Sequence, residues 1–158
     1  PVNDAPSFAA LANQTLAEDA GAQTLAGFTT VAPGGGIDEA GQTFSYTVSN
    51  DNNALFTVQP TIAADGTLSY TTAANVSGAA TVTVFVTDSG GTANGGTDTT
   101  GPRTFTITAT PVADTPSVTG AATLEDTQTT SGLVITRNPA DGAEVTHFQI
   151  TGITNGTR

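Results

Sequence analysis

The chemistry this sequence has to offer is almost all carboxylate. Fourteen Asp and Glu stand against three basic residues, Arg103, Arg137 and Arg158, for a formal net charge of −11 at pH 7. There is no cysteine and no lysine, and His147 is the single histidine. Such a surface attracts multivalent cations through hard oxygen donors. It lacks the Lys and Arg needed to displace counterions from nucleic acid or to settle on an anionic membrane. Thiolate metal sites and disulfides are excluded. A nucleophilic triad or a zinc centre needs partners that one histidine cannot supply. The Gly34, Gly35, Gly36 run has no Gly-Lys-Ser/Thr to make a phosphate loop and reads as a flexible turn. Adjacent acids such as Glu18 and Asp19 could serve glycoside hydrolysis, but a sugar cleft is usually lined with aromatics. The chain has no Trp and two Tyr. No catalytic constellation emerges, and a non-enzymatic role is expected.

Two acids recur in a fixed setting. "PVNDAP" (residues 1–6) returns as "PVADTP" (residues 111–116), keeping Asp4 and Asp114 between prolines that restrict the backbone. The echo predicts a unit of about 110 residues followed by the opening of a second. We place the domains at 1–112 and 113–158. No apolar run approaches about 18 residues, so no membrane-spanning helix is expected. No basic-then-apolar leader precedes the first strands, and a secretion signal is expected to lie outside this stretch.

The elements that must hold these acids read as strands. "QTFSYTVS" (residues 42–49) alternates Phe44, Tyr46 and Val48 with polar residues. "ATVTVFVTD" (80–88) sets Val82, Val84 and Val86 on one face and Phe85 on the other. "RTFTITATP" (103–111) points Phe105, Ile107 and Ala109 inward. "ALFTVQPTI" (54–62) carries Pro60, which suits an edge or a strand end better than a central position. "DGTLSYTT" (65–72) opens on a tight-turn signal. With "QTLAGFTTV" (23–31) and a short strand at 14–17, about seven strands result and no helix of useful length. The expected fold is all-β: a seven-stranded antiparallel Ig-like β-sandwich, followed by the start of a second repeat. His147 falls in a predicted strand, "VTHFQI".

"PVNDAP", "LAED", "DEAGQTFSY", "ADGTLSYT", "VTVFVTDSGGTA" and "FTITATPVADTP", in that order, resemble the cadherin-like repeats of large bacterial surface adhesins. "ATLEDT" and "NPADGAEVTHFQITGI" resemble the opening of the next repeat. The resemblance implies a cadherin-like sandwich with Ca2+ held at each junction by a first-strand acid of the upper module, the linker, and two loops at the top of the lower module. It implies Asn3 and Asp4 as linker ligands and Glu18 with Asp19 as the first-strand acids. Asp38 with Glu39 stands at an Asp-x-Asp position, and Asp88 ends the penultimate strand. Asp114, Glu125, Asp126 and Asp141 are their second-unit counterparts. The sequence departs from the family where Ala40 replaces an acid, where Ala113 replaces the linker Asn, and where "ANVSG" lacks an Asp-Arg-Glu motif. About one or two ions per junction are therefore expected, and the two junctions should not bind calcium identically. Asp51, Asp65 and Asp98 read as solvated surface acids.

These expectations combine into a non-catalytic structural module of a secreted or surface-attached bacterial protein. It would serve as an adhesin shaft or surface fibre stiffened by calcium. Its partners would be neighbouring repeats or identical subunits, with a surface ligand bound elsewhere in the parent protein. The competing class is a glycan- or protein-binding module using the long loops at 32–41 and 89–101, which an exposed aromatic cluster there would favour. A further alternative has the second unit's strands completing another copy by strand addition.

Overall fold

The computed structural model describes residues 2–122, 124, 127, 132–142 and 145–151. The chain divides into two compact units, Pro1–Thr110 and Pro111–Arg158. Among the described residues no helix is long and apolar enough to cross a membrane.

The first unit is all-β and sandwich-like. Its strands are β1 (Ser7–Phe8), β2 (Gln14–Ala17), β3 (Ala22–Leu25), β4 (Val31–Ala32), β5 (Phe44–Asn50), β6 (Phe56–Ile62), β7 (Leu68–Thr72), β8 (Gly78–Asp88) and β9 (Arg103–Thr110). One sheet has the order β2-β9-β8-β5, a second has β3-β7-β6, and β1 pairs β4 separately. Period-two alternation builds the core. Val82, Val84 and Val86 are fully buried, and Phe105, Ile107 and Ala109 of β9 join them. From the other sheet come Phe56, Ile62, Leu68 and Tyr70. Each large apolar side chain buried this way contributes about 1.5–3 kcal/mol. Phe28 tilts against Phe105 with ring centroids 4.9 Å apart, tying the loop after β3 to β9.

Turn chemistry fixes the connections. Gly66 adopts φ +82°, and Asp65 Oδ1 accepts the Thr67 N–H at 2.9 Å. A Cβ on Gly66 would collide with the Thr29 carbonyl oxygen, whose residue donates its own N–H to Gly66 O at 3.3 Å. Pro60 sits in β6, at the edge of its sheet, where the β6–β7 register shifts twice. There a missing amide costs least.

Three features differ from the sequence reading. Nine strands stand among the described residues of the first unit where about seven were expected, β1 having no counterpart in the sequence reading. The run at 23–31 is not one strand: Gly27, at φ +64°, breaks it into β3 and β4. Nor is the pairing wholly antiparallel, because β2 runs parallel to β9, Gln14 opposite Ile107 and Ala17 opposite Thr110. After β1 pairs with β4, the chain enters the four-stranded sheet as β2 and travels alongside β9. Both strands therefore finish at the same end of the unit. Residue 3 lies at the opposite end, where Asn3 meets Asp88.

The second unit contains β10 (Ser117–Thr119) paired antiparallel with β11 (Val134–Thr136). Val118 faces Ile135 there as Phe8 faces Val31 in β1–β4. The described residues 145–151 lie outside any strand, so His147 is not in the expected one. It is exposed, with Nδ1 2.6 Å from the Thr146 hydroxyl.

Candidate cation site at the linker

The linker of the first unit lies across two loops. Asn3 Nδ2 donates to Asp88 Oδ1 at 2.9 Å and to the Thr97 carbonyl at 2.9 Å. Its Oδ1 accepts from Gln42 Nε2 at 2.6 Å, and its carbonyl accepts the Thr97 N–H at 2.8 Å. Asp4 donates its N–H to Glu39 Oε1 at 2.7 Å, while Gly35 donates to Glu39 Oε2 at 2.6 Å. Glu39 ends a short 3-10 turn, Ile37–Glu39, and is 2% exposed.

The triple glycine is a bed for this linker and does not act as a loose turn. A Cβ on Gly34 would strike the Ala5 carbonyl oxygen. One on Gly35 would stand 2.6 Å from Asp4 Oδ2 and 2.9 Å from Glu39 Oε1. Bare backbone lets the two carboxylates share that corner. Asp38, exposed, precedes Glu39 in the same turn, with Oδ1 3.1 Å from the Cβ position of Gly36. Val2, Asn3, Asp38, Glu39, Gln42 and Gly90 line a shallow depression of about 200 Å³.

Asp88 closes the arrangement. It ends β8 and is 6% exposed, with Oδ1 accepting from Asn3 and from the Gly90 N–H at 2.8 Å. Its Oδ2 is buried and has no hydrogen-bond partner. A buried carboxylate oxygen left so is costly, and a cation or a donor arriving there would relieve it. The fit to a calcium ion is partial. Asp4, Asp38, Glu39 and Asp88 gather at one end, yet among the described residues no three His, Cys, Asp or Glu side chains converge into a metal-holding group.

Glu18 and Asp19 do not belong to this set. They follow β2 at the far end of the unit, where Glu18 donates its N–H to the Thr110 carbonyl at 3.0 Å and its own backbone carbonyl accepts from the Thr72 hydroxyl at 3.0 Å. Asp19 Oδ1 accepts the Asn75 N–H at 3.0 Å. Ten residue steps along β8 separate the two ends, roughly 34 Å at the usual strand rise. The linker acid Asp4 and the Glu18–Asp19 pair of one unit therefore cannot share an ion.

In the second unit Asp114 donates its N–H to Asp141 Oδ1 at 2.6 Å, and Asn138 Nδ2 reaches the Thr115 carbonyl at 3.3 Å. Asp141 is 4% exposed, and its Oδ2 is buried without a partner. Glu125 and Asp126 lie outside the described residues. Ala113 has no side chain to make the bonds that Asn3 makes.

The acids read as solvated each hold local backbone or a neighbour. Asp51 Oδ1 accepts the Thr81 N–H at 2.7 Å, and Asp98 Oδ1 accepts the Thr99 hydroxyl at 3.0 Å. The Thr81 and Thr67 amides hold the exposed Asp51 and Asp65 carboxyls below their ordinary range. Sequence reasoning passed over Gln42, Gly90 and Thr97. Glycine runs flanking acids were the available signal. The loops at 32–41 and 89–101 contain no aromatic residue. No family model matches this chain, and no curated protein matches it.

Proposed function

We propose that this chain is a non-catalytic structural module of an extracellular repeat protein, an adhesin shaft or surface fibre. Its first unit is an Ig-like, cadherin-like sandwich whose ends bind Ca2+. The observation that carries this reading is the gathering of Asp4, Asp38, Glu39 and Asp88 at the linker end of the unit, with Asp88 Oδ2 buried and met by no protein donor. Asp4, Asp38 and Asp88 supply oxygens of the kind a hard cation takes, and Asn3 holds Asp88 in place. In the second unit Asp114 and Asp141 offer the matching pair. Neighbouring repeats would complete each ligand set, since Ca2+ takes six to eight oxygens.

A cation bound only to the ordered junction stabilises it by about 2.7 kcal/mol at a hundredfold excess over Kd. The test is thermal melting of the full chain in chelator and in millimolar CaCl2, together with calorimetric titration. A higher Tm and binding heat with Ca2+ are expected. Unchanged melting and no heat would remove the calcium reading.

A further inference from the structure

We propose that a buried carboxylate in each unit latches the backbone amide of the linker aspartate, and that this latch closes without any cation. The inference goes beyond the calcium reading and stands even where that reading fails.

The same construction occurs twice. In the first unit Glu39 takes the Asp4 N–H, and in the second Asp141 takes the Asp114 N–H, at 2.7 and 2.6 Å. Both acids lie in the loop following the strand that pairs with the unit's first strand: Glu39 after β4, Asp141 after β11. The spacing differs, 35 residues against 27, and so does the acid. A spaced sequence motif would not survive that change, whereas the geometry does.

Burial explains why backbone amides hold these acids. A carboxylate 2% exposed needs its charge met by donors, and charge-assisted N–H bonds of this length are the strong kind. Glu39 spends one oxygen on Asp4 and the other on Gly35. It is therefore a positioning residue and not a primary ligand. It fixes the linker peptide on the glycine bed and leaves the Asp4 side chain exposed. Asp141 spends only Oδ1 on the latch, so the second unit keeps a buried oxygen in reserve. The two latches thus present different donors.

Amide hydrogen exchange by NMR on the full chain in excess EDTA tests this. The Asp4, Gly35 and Asp114 amides should exchange at least about tenfold more slowly than in an unfolded chain. Glu39→Gln keeps one acceptor oxygen but loses the charge. It should cut protection at Asp4 or Gly35 by at least about tenfold and leave Asp114 unchanged. Asp141→Asn should release Asp114 and leave Asp4 and Gly35 protected. If Glu39→Gln also exposes the β8 amides, Asp141→Asn decides alone, with the first unit as folded reference. Coil-rate exchange at Asp4 in the unsubstituted protein in EDTA would overturn the latch, as would variants that leave protection unchanged.

Discussion

Asp88→Asn separates the cost of an uncompensated buried oxygen from the benefit of a bound ion. Within the fold Asp88 Oδ1 accepts from Asn3 and from Gly90, and no protein donor reaches Oδ2. Asparagine keeps the shape and the Oδ1 acceptor but removes the charge from a site 6% exposed. Leaving a buried polar group unsatisfied costs about 1–3 kcal/mol, and more when it is charged. Part of that penalty persists, because the new amide N–H also lacks a partner. A net gain of about 1 kcal/mol in chelator is reasonable, or roughly 4–8 °C in Tm for a unit of this size. In Ca2+ the order should reverse. The unsubstituted protein gains about 2.7 kcal/mol at a hundredfold excess, whereas the variant, short of one carboxylate, should gain less than about half of it. The assay is paired melting of both proteins, in EDTA and in CaCl2. A variant that melts lower than the parent in EDTA and keeps the full calcium shift would refute both halves of the reasoning.

Gly66→Ala is expected to cost about 3 kcal/mol or more, because φ +82° strains any side chain and its Cβ meets the Thr29 carbonyl; the urea midpoint should fall accordingly. Acid should weaken the fold through Asp51 and Asp65. Their folded carboxyls titrate below the ordinary value of 3.8, so their contribution is complete above that value and disappears as pH falls through the lowered one. In acid-unfolding curves Asp51→Asn should show a smaller loss of stability below about pH 4 than the parent.

Local alternation was legible because a strand's two faces are written in every second residue. Val82, Val84 and Val86 could be put on one face from "VTVFV" alone, packing made that face the buried one, and Asp65–Gly66 declared its turn through the residue that best tolerates the backbone angle. Pro60 marked an edge for an equally local reason: it has no amide to give. The β1–β4 pairing was not legible, since two strands of two residues each carry no period to detect. The run at 23–31 reads as one strand, but the left-handed φ of Gly27 separates β3 from β4, which pairs elsewhere.

The candidate site divides along the same line. By itself the sequence determined its chemistry: an acidic, cysteine-free, lysine-free chain whose linker keeps Asp4 and Asp114 between prolines. The tertiary structure decided which acids are neighbours. Sheet order and the parallel course of β2 along β9 send Glu18 and Asp19 to one end and hold Asp4, Asp38, Glu39 and Asp88 at the other. It decided as well that Gly34 and Gly35 are bare so that a linker can lie on them, and that Glu39 and Asp141 do one job at two spacings. Side-chain chemistry and strand period are local properties, readable from a few consecutive residues. Which carboxylates face one another depends on pairings between residues far apart in the chain, and only packing fixes those.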